Sequence, residues 1–380
     1  MTPTQGDLAP LEVASRLDKL RGRFEEAGVD SLIVTNLANV RYLSGFSGSA
    51  GVVVVTSKGA VLTTDGRYRT QSAEQVEAAG VAASLDIAVG NAEHQRSAVR
   101  SSLVAASARR VGLEAESVTW AASRRWREIF DDEAEGVPAV GVVEGLREVK
   151  DAGELDRMAK AAAIADRALA EVLPMLGEVS AASTLTEGEF ALALDTAMRR
   201  GGAEDRAFDT IVAAGPHSAK PHHQPTPTAL RPGQAVVVDF GATFEGYRSD
   251  MTRTFWLGGQ PTGEMARVFA VVADSQARGV AAVRAGVAAK EIDTVCRDVI
   301  AQAGWAERFE HGTGHGVGLD IHEAPTVSQL GTAILVPGVV VTVEPGVYLP
   351  GLGGVRIEDT LVVTGDGSRS LTGFTKDVAA

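Results

Sequence analysis

The chain has 380 residues, more than one ordinary hydrophobic core accommodates, so two domains are expected. An apolar fraction of 45% is that of a globular protein, and a net charge of −13 argues against nucleic acid as the main partner, because phosphate binding needs basic surface. The single cysteine, Cys296, excludes an intramolecular disulfide and fits a reducing compartment. The first residues, MTPTQGDLAPLEV, lack the basic and apolar regions of a signal peptide, and no run approaches the ~18 apolar residues of a membrane helix. A cytoplasmic location with no membrane partner is therefore expected.

Leu17, Leu20, Phe24 and Ala27 recur at helical spacing and predict an amphipathic helix over 11–28. Residues 31–35, SLIVT, read as a buried strand, and 39–51, NVRYLSGFSGSAG, as a Gly/Ser-rich loop. Residues 52–56 and 60–64 are apolar β-rich runs around Ser57-Lys58-Gly59, which predicts a hairpin. A helix follows to about Ala79, and helical and strand-like runs alternate to about residue 143, the pattern of a small α/β domain with a mixed sheet. Residues 144–153, EGLREVKDAG, read as the junction between 1–147 and 148–380. Asp151 with Glu154, and Thr186 with Glu189, fit capping boxes, the first opening a helix to about Leu176 and the second one closed by Gly201-Gly202. A strand is expected over 208–213. Residues 215–228, rich in proline and histidine, must be a loop. Strands are expected at 235–241 and 246–257, helices near 262–285 and 289–303, and glycine-separated strands beyond. Cys296 falls in the last of these helices, where a buried apolar role is expected.

Acids interrupt the apolar runs. Asp239 sits in VVVDFG, Asp250 in the following strand, Glu344 in VTVEPG and Glu358 in GVRIEDT. A buried carboxylate costs several kcal/mol unless something pairs with it. Asp239 alone would serve equally as a strand-end acid bonded to amides or an arginine. Asp239, Glu344 and Glu358, three acids in three apolar runs, are better explained by a shared cation. Six of the 7 histidines fall in two clusters, His217, His222 and His223, then His311, His315 and His322. His315 lies between Gly314 and Gly316, which let the backbone approach a ligand closely. Asp239, Asp250, His315, Glu344 and Glu358 thus form a hard, oxygen-rich ligand set for two divalent ions. It suits manganese, the expected metal, or cobalt or iron; zinc can also occupy it. Ions held roughly 3.5–4 Å apart activate water and polarise a carbonyl, so the expected chemistry is amide or ester hydrolysis. His222, His311 and His322 would orient substrate or move protons; His217 and His223 read as loop residues.

The ordered set of Asp in DFG, Asp in SDMTRT, His in GTGHGVG, Glu in EPG and Glu in RIEDT resembles the pita-bread metallopeptidases, and within them the Xaa-Pro peptidases, aminopeptidase P and prolidase. NVRYLSGFSGSAG and TDGRYRTQ resemble the family's N-terminal domain, and LREVKDAGEL its junction. The resemblance implies an α+β chain: a C-terminal pita-bread (creatinase/aminopeptidase-like) domain preceded by a smaller α/β N-terminal domain with a mixed sheet. It also implies roles. Asp239 would hold one metal, Asp250 and Glu358 both, and His315 and Glu344 the other. His222 would bind substrate and assist proton transfer, His311 and His322 would line the site, Glu344 would relay a proton, Arg356 would support the site electrostatically, and Tyr348 would offer a substrate wall. The substrate would be a proline-containing peptide cut before proline, whose nitrogen carries no N–H. The N-terminal domain would wall off the site, and a homodimer is expected.

On this reading an Xaa-Pro aminopeptidase is favoured, with an Xaa-Pro dipeptidase as the alternative. A non-catalytic binding protein on the same fold is disfavoured by the intact ligand set. The same set counts against a metal-free creatinase-like enzyme, and residues 1–147 count against a methionine aminopeptidase.

Overall fold

Three apolar runs, Ser31–Val34 (β1), Val52–Thr56 (β2) and Ala60–Thr64 (β3), pair antiparallel in sequence order, and Ser57-Lys58-Gly59 turns the predicted hairpin. Asp86–Val89 (β4), Arg110–Glu114 (β5) and Glu135–Ala139 (β6) add in parallel, giving a six-stranded mixed sheet in the order β4-β3-β2-β1-β5-β6. Ile33, Val54, Val61 and Val111 pack with Val99 and Leu103 of helix Ala92–Ala106 and with Phe130 of helix Trp120–Phe130. These elements belong to one unit, Pro10–Arg147; Glu148 onward forms the second, together with Leu8 and Ala9. This computed structural model describes residues 8–130 and 133–377.

Two expectations in the first unit are corrected. The helix expected over 11–28 is a 3-10 turn, Val13–Ser15, and a short helix, Arg16–Arg21. Beyond Gly22 the chain tightens: Arg23 N–H bonds Leu20 O and Phe24 N–H bonds Arg21 O. Leu17, Leu20 and Phe24 are nevertheless all buried. Within 39–51, expected to be loop, the first part belongs to helix Leu37–Ser44. Asn36 caps it through its side chain, and Gly45 ends it at φ 74°. A side chain at Gly45 would place its Cβ 2.6 Å from Ala79 Cβ.

In the second unit, Asp205–Arg206 (β7), Ile211–Ala214 (β8), Ala235–Phe240 (β9), Ala242–Phe244 (β10), Tyr247–Arg248 (β11) and Met251–Trp256 (β12) build two three-stranded sheets, β11-β10-β7 and β12-β9-β8. Gly314–Gly316 (β13), Glu323–Val327 (β14), Val340–Val343 (β15), Gly346–Leu349 (β16), Gly353–Arg356 (β17), Asp359–Val363 (β18) and Ser368–Ser370 (β19) follow. Of these, β16 and β17 form a ribbon and the rest a sheet in the order β14-β13-β15-β18-β19. The single strand expected over 246–257 is two, β11 and β12, in different sheets, and Asp250 lies in the break. The loop expected over 215–228 opens with a 3-10 turn, Gly215–Ala219.

Both capping boxes form. They start helices Ala152–Val172 and Glu187–Arg200, whose apolar faces bury Leu169, Phe190 and Leu194 against Val212, Val236 and Val238. The first helix stops before the expected Leu176 because Pro174 begins a separate short turn. Helices Gly263–Ala282 and Ala289–Gln302 cover a second core containing Val341, Val343, Val355 and Leu361. Cys296 is buried there, and burial pushes its thiol up to about 12. Among the described residues no helix is long and apolar enough to cross a membrane.

Candidate metal centre

Strand ends deliver the acids. Asp239 is the penultimate residue of β9, opposite Thr252 of β12. Asp250 immediately precedes β12, Glu344 follows β15, and Glu358 sits between β17 and β18. Asp239 is thus held within a paired strand, while Asp250, Glu344 and Glu358 lie just beyond strand ends. His315 is the middle residue of β13. A Cβ on Gly314 would lie 2.0 Å from Thr342 O, and one on Gly316 2.1 Å from Ala324 O. Only glycine on both sides lets this strand come so close to its neighbours.

One carboxylate oxygen from each of Asp239, Asp250 and Glu358 lies within 4.8 Å of the others. His315 Nε2 is 3.3 Å from Glu344 Oε1 and 3.6 Å from Asp250 Oδ2. Its other nitrogen, Nδ1, donates to Gly316 O at 2.9 Å, which fixes the ring with Nε2 facing the acids. Thr252 Oγ1 donates to Glu358 Oε2 at 2.8 Å, and an Arg356 guanidinium N–H donates to Asp239 Oδ2 at 2.7 Å. The second oxygens of these two acids, Asp239 Oδ1 and Glu358 Oε1, are buried with no hydrogen-bond partner among the described residues.

The electrostatics carry the same signature. Burial and the charge of Asp239 push Asp250 well above the usual carboxylate range, and burial and the charge of Asp250 do the same to Glu358. Burial also raises Asp239, against the opposing charge of Arg356. Burial opposes ionisation of Glu344, but the hydrogen bond and charge of His315 outweigh it and hold this carboxyl at about 2. Burial likewise opposes charging His315, yet Glu344 and Asp250 raise it to about 9. A cluster of acids with orphaned oxygens and mutual repulsion is relieved by cations. The donor set, four carboxylates and one imidazole, fits two hard or borderline divalent ions.

A polar relay runs beside the acids. His311 Nδ1 donates to Gly312 O, so its Nε2 accepts from Tyr348 Oη at 2.8 Å; Tyr348 Oη accepts in turn from Arg356 at 2.8 Å. Arg356 completes the line to Asp239 and also donates to Thr252 Oγ1 at 3.1 Å. Burial raises Tyr348 to about 12, so it stays a donor, and burial lowers His311, which stays neutral. Tyr348 is therefore no exposed substrate wall: it is 3% exposed and lies behind the site.

His222, His311, His322 and Arg356 line one cavity of about 450 Å³ together with Asp239, Asp250, His315, Glu344 and Glu358. His322 packs edge-on against His315, ring centroids 4.4 Å apart, and burial and that neighbour lower its pKa. Sequence reasoning missed two features. Buried Lys150, in the predicted junction, pairs with Glu323 beside His322 at 3.1 Å. His217 and His223, read as loop residues, both contact Glu187 at 3.0 Å. The capping box of Thr186 and Glu189 predicted the helix start but gave Glu187 no role.

Residues 156–365 match metallopeptidase family M24, and residues 16–149 match the creatinase/prolidase N-terminal domain. The chain belongs to metallopeptidase family M24. It has the pita-bread fold, with a smaller N-terminal domain built on a mixed sheet, and it is a peptidase. An uncharacterized peptidase, YqhT, from Bacillus subtilis (strain 168) is 39% identical over 96% of this chain and 99% of its own. The solved structure of an Xaa-Pro dipeptidase from Bacillus anthracis is 36% identical with a TM-score of 0.90, over 97% of this chain and 100% of that one. An X-Pro aminopeptidase from Thermotoga maritima MSB8 is 32% identical with a TM-score of 0.83, over 94% and 99%.

Proposed function

We propose that this M24 peptidase is an Xaa-Pro dipeptidase, hydrolysing the bond before a C-terminal proline with two manganese ions. The observation carrying the metal-dependent reading is the pair of orphaned buried oxygens on Asp239 and Glu358 inside a cluster of four acids and one histidine. Dipeptidase is preferred to the aminopeptidase expected from sequence because the Bacillus anthracis dipeptidase is the more similar of the two solved relatives in both identity and TM-score. Asp239 would hold one ion, Asp250 and Glu358 both, and His315 and Glu344 the other. Bound there, the ions supply Lewis acidity and an activated water.

The chain's own residues do the rest. Glu344, ionised at neutral pH, accepts the proton that water loses on attacking the scissile carbonyl. Arg356 and Tyr348 lock Asp239 in place, and neutral His311, anchored on Tyr348 Oη, lines the cavity. His322 walls the prolyl side. His222 binds substrate and gives the departing prolyl nitrogen the proton it needs to leave as a secondary amine. The buried free thiol suits the reducing cytoplasm, and a homodimer is the expected assembly.

The test uses metal-stripped protein with Xaa-Pro and Xaa-Pro-Yaa-Zaa, before and after adding manganese, with products read by mass spectrometry. Manganese-dependent cleavage of the dipeptide alone supports the proposal. Release of Xaa from the tetrapeptide reinstates the aminopeptidase, and no cleavage of either with metal bound rejects both.

A further inference from the structure

Glu187 takes no part in the reaction described above, yet its side chain is wholly buried at the start of helix Glu187–Arg200. Five donors surround it. Oε1 accepts from Ala214 N–H at 2.8 Å and lies 3.0 Å from His217 Nδ1. Oε2 accepts from Thr226 N–H at 3.1 Å and Thr226 Oγ1 at 2.6 Å, and lies 3.0 Å from His223 Nε2. The helix N-terminus adds a favourable field for the negative charge. Burial opposes ionisation, but the contacts from Thr226, His223, Ala214 and His217 leave its pKa below the usual value.

What Glu187 grips is the segment carrying His222. The His217 and His223 rings stack with centroids 4.3 Å apart, so the carboxylate holds both ends of residues 217–223. Between them, Lys220–His223 form a turn closed by His223 N–H to Lys220 O at 3.2 Å, with Pro221 at its second position, where a fixed φ stiffens the turn. His222 is exposed to the cavity, and among the described residues its imidazole makes no hydrogen bond. Its placement is thus inherited from its buried neighbour His223. The same segment is tied to β17, the strand ending in Arg356, because Gly354 N–H donates to Ser218 Oγ at 2.8 Å.

We propose that Glu187 is a positioning residue that, through His217 and His223, sets His222 at the mouth of the metal site. The inference rests on the reading of His222 as the substrate-binding, proton-donating histidine. The Glu187, His217 and His223 donors also lie within 4.8 Å of one another, as a three-ligand cation site would require. A cation is the weaker interpretation, because five donors already fill both carboxylate oxygens.

The test is a double-mutant cycle of Glu187→Gln and His222→Ala on the manganese-loaded full chain. It reads kcat and KM on Xaa-Pro, thermal midpoint and manganese content. Glu187→Gln alone is expected to lower kcat/KM by roughly 10- to 100-fold, since misplacing a reacting group by about 1 Å costs that much. In the His222→Ala background it should cost no more than about twofold, while its effect on the thermal midpoint is the same in both backgrounds. Should Glu187→Gln not fold, His223→Gln and His223→Ala replace it: the glutamine can still donate to Glu187 and should restore activity that the alanine loses. Equal losses with and without His222, a silent His222→Ala, or no difference between the two His223 variants overturns the proposal. So does a third manganese ion per chain that disappears in Glu187→Gln, which would make the cluster a metal site. If the wild type fails to cleave Xaa-Pro, the functional reading falls and takes this inference with it; additive losses in an active enzyme remove this inference alone.

Discussion

Asp239 Oδ1 and Glu358 Oε1 are acceptors that no donor reaches among the described residues, and Asp250 and Glu358 resist ionisation in the bare protein. The consequence for stability has a definite sign. Carboxyls raised in the folded state bind more protons folded than unfolded above about pH 4, so stability falls as pH rises through that window. His315, raised to about 9, adds a contribution fully present below its ordinary 6.5 and lost by about pH 9. Glu344, held at about 2, works the other way, and its contribution is lost only in strong acid. Metal-stripped protein should therefore lose thermal midpoint between pH 6.5 and 9, and the gain on adding manganese should grow over the same range. A manganese gain independent of pH would mean these groups do not titrate as a cluster. Tyr348→Phe tests the relay behind Asp239. It strands a buried Arg356 N–H, costing about 1–3 kcal/mol of stability, and should lower manganese affinity roughly tenfold or more. Unchanged metal titration and kcat would show that Asp239 needs no such support.

At the scale of elements, the site depends on how closely strands approach. A methyl group at Gly314 would collide with a carbonyl of β15, so Gly314→Ala must displace β13 and His315 with it. The variant should lose manganese by metal analysis, whereas Gly365→Ala, with open space around it, should not. Removing the first capping box is a milder change: Asp151→Ala should cost about 1 kcal/mol in denaturant titration and leave kcat unaltered. Elements announced by local chemistry were legible. The 57–59 turn, both capping boxes and the apolar strands at 31–34 and 235–240 needed no tertiary information. Helix Leu37–Ser44 was not read, although Asn36 and Gly45 are ordinary cap residues, because the glycines and serines after it dominate the composition of the window. The break at Asp250 had no local signal at all, since 246–257 reads as one β-rich run and only pairing to two different sheets divides it.

For the whole molecule, the two units have separate cores, and all nine cavity residues named above belong to the second. Manganese binding should therefore act unevenly. At about 100 times its dissociation constant a ligand adds about 2.7 kcal/mol to the state that binds it. Hydrogen exchange should slow across 236–256 and 340–363, while amides of the 31–34, 52–64 and 110–114 strands keep their rates. Equal slowing in both units would mean that they open together.

The amino-acid sequence by itself pointed to a candidate ligand set, because a carboxylate in or beside an apolar run is costly enough to demand a local explanation, and four such acids and one glycine-flanked histidine occur along the chain. It also determined the family and the mixed-sheet N-terminal domain. Only the tertiary structure decided what surrounds those ligands. Tyr348 reaches Arg356 and His311 because β16 and β17 fold into a ribbon, and Glu187 meets His217 and His223 across 30 and 36 residues of chain. Such contacts leave no periodicity or cap in the sequence. They exist because packed sheets and helices bring distant polar groups into a dry interior, where each must find a partner.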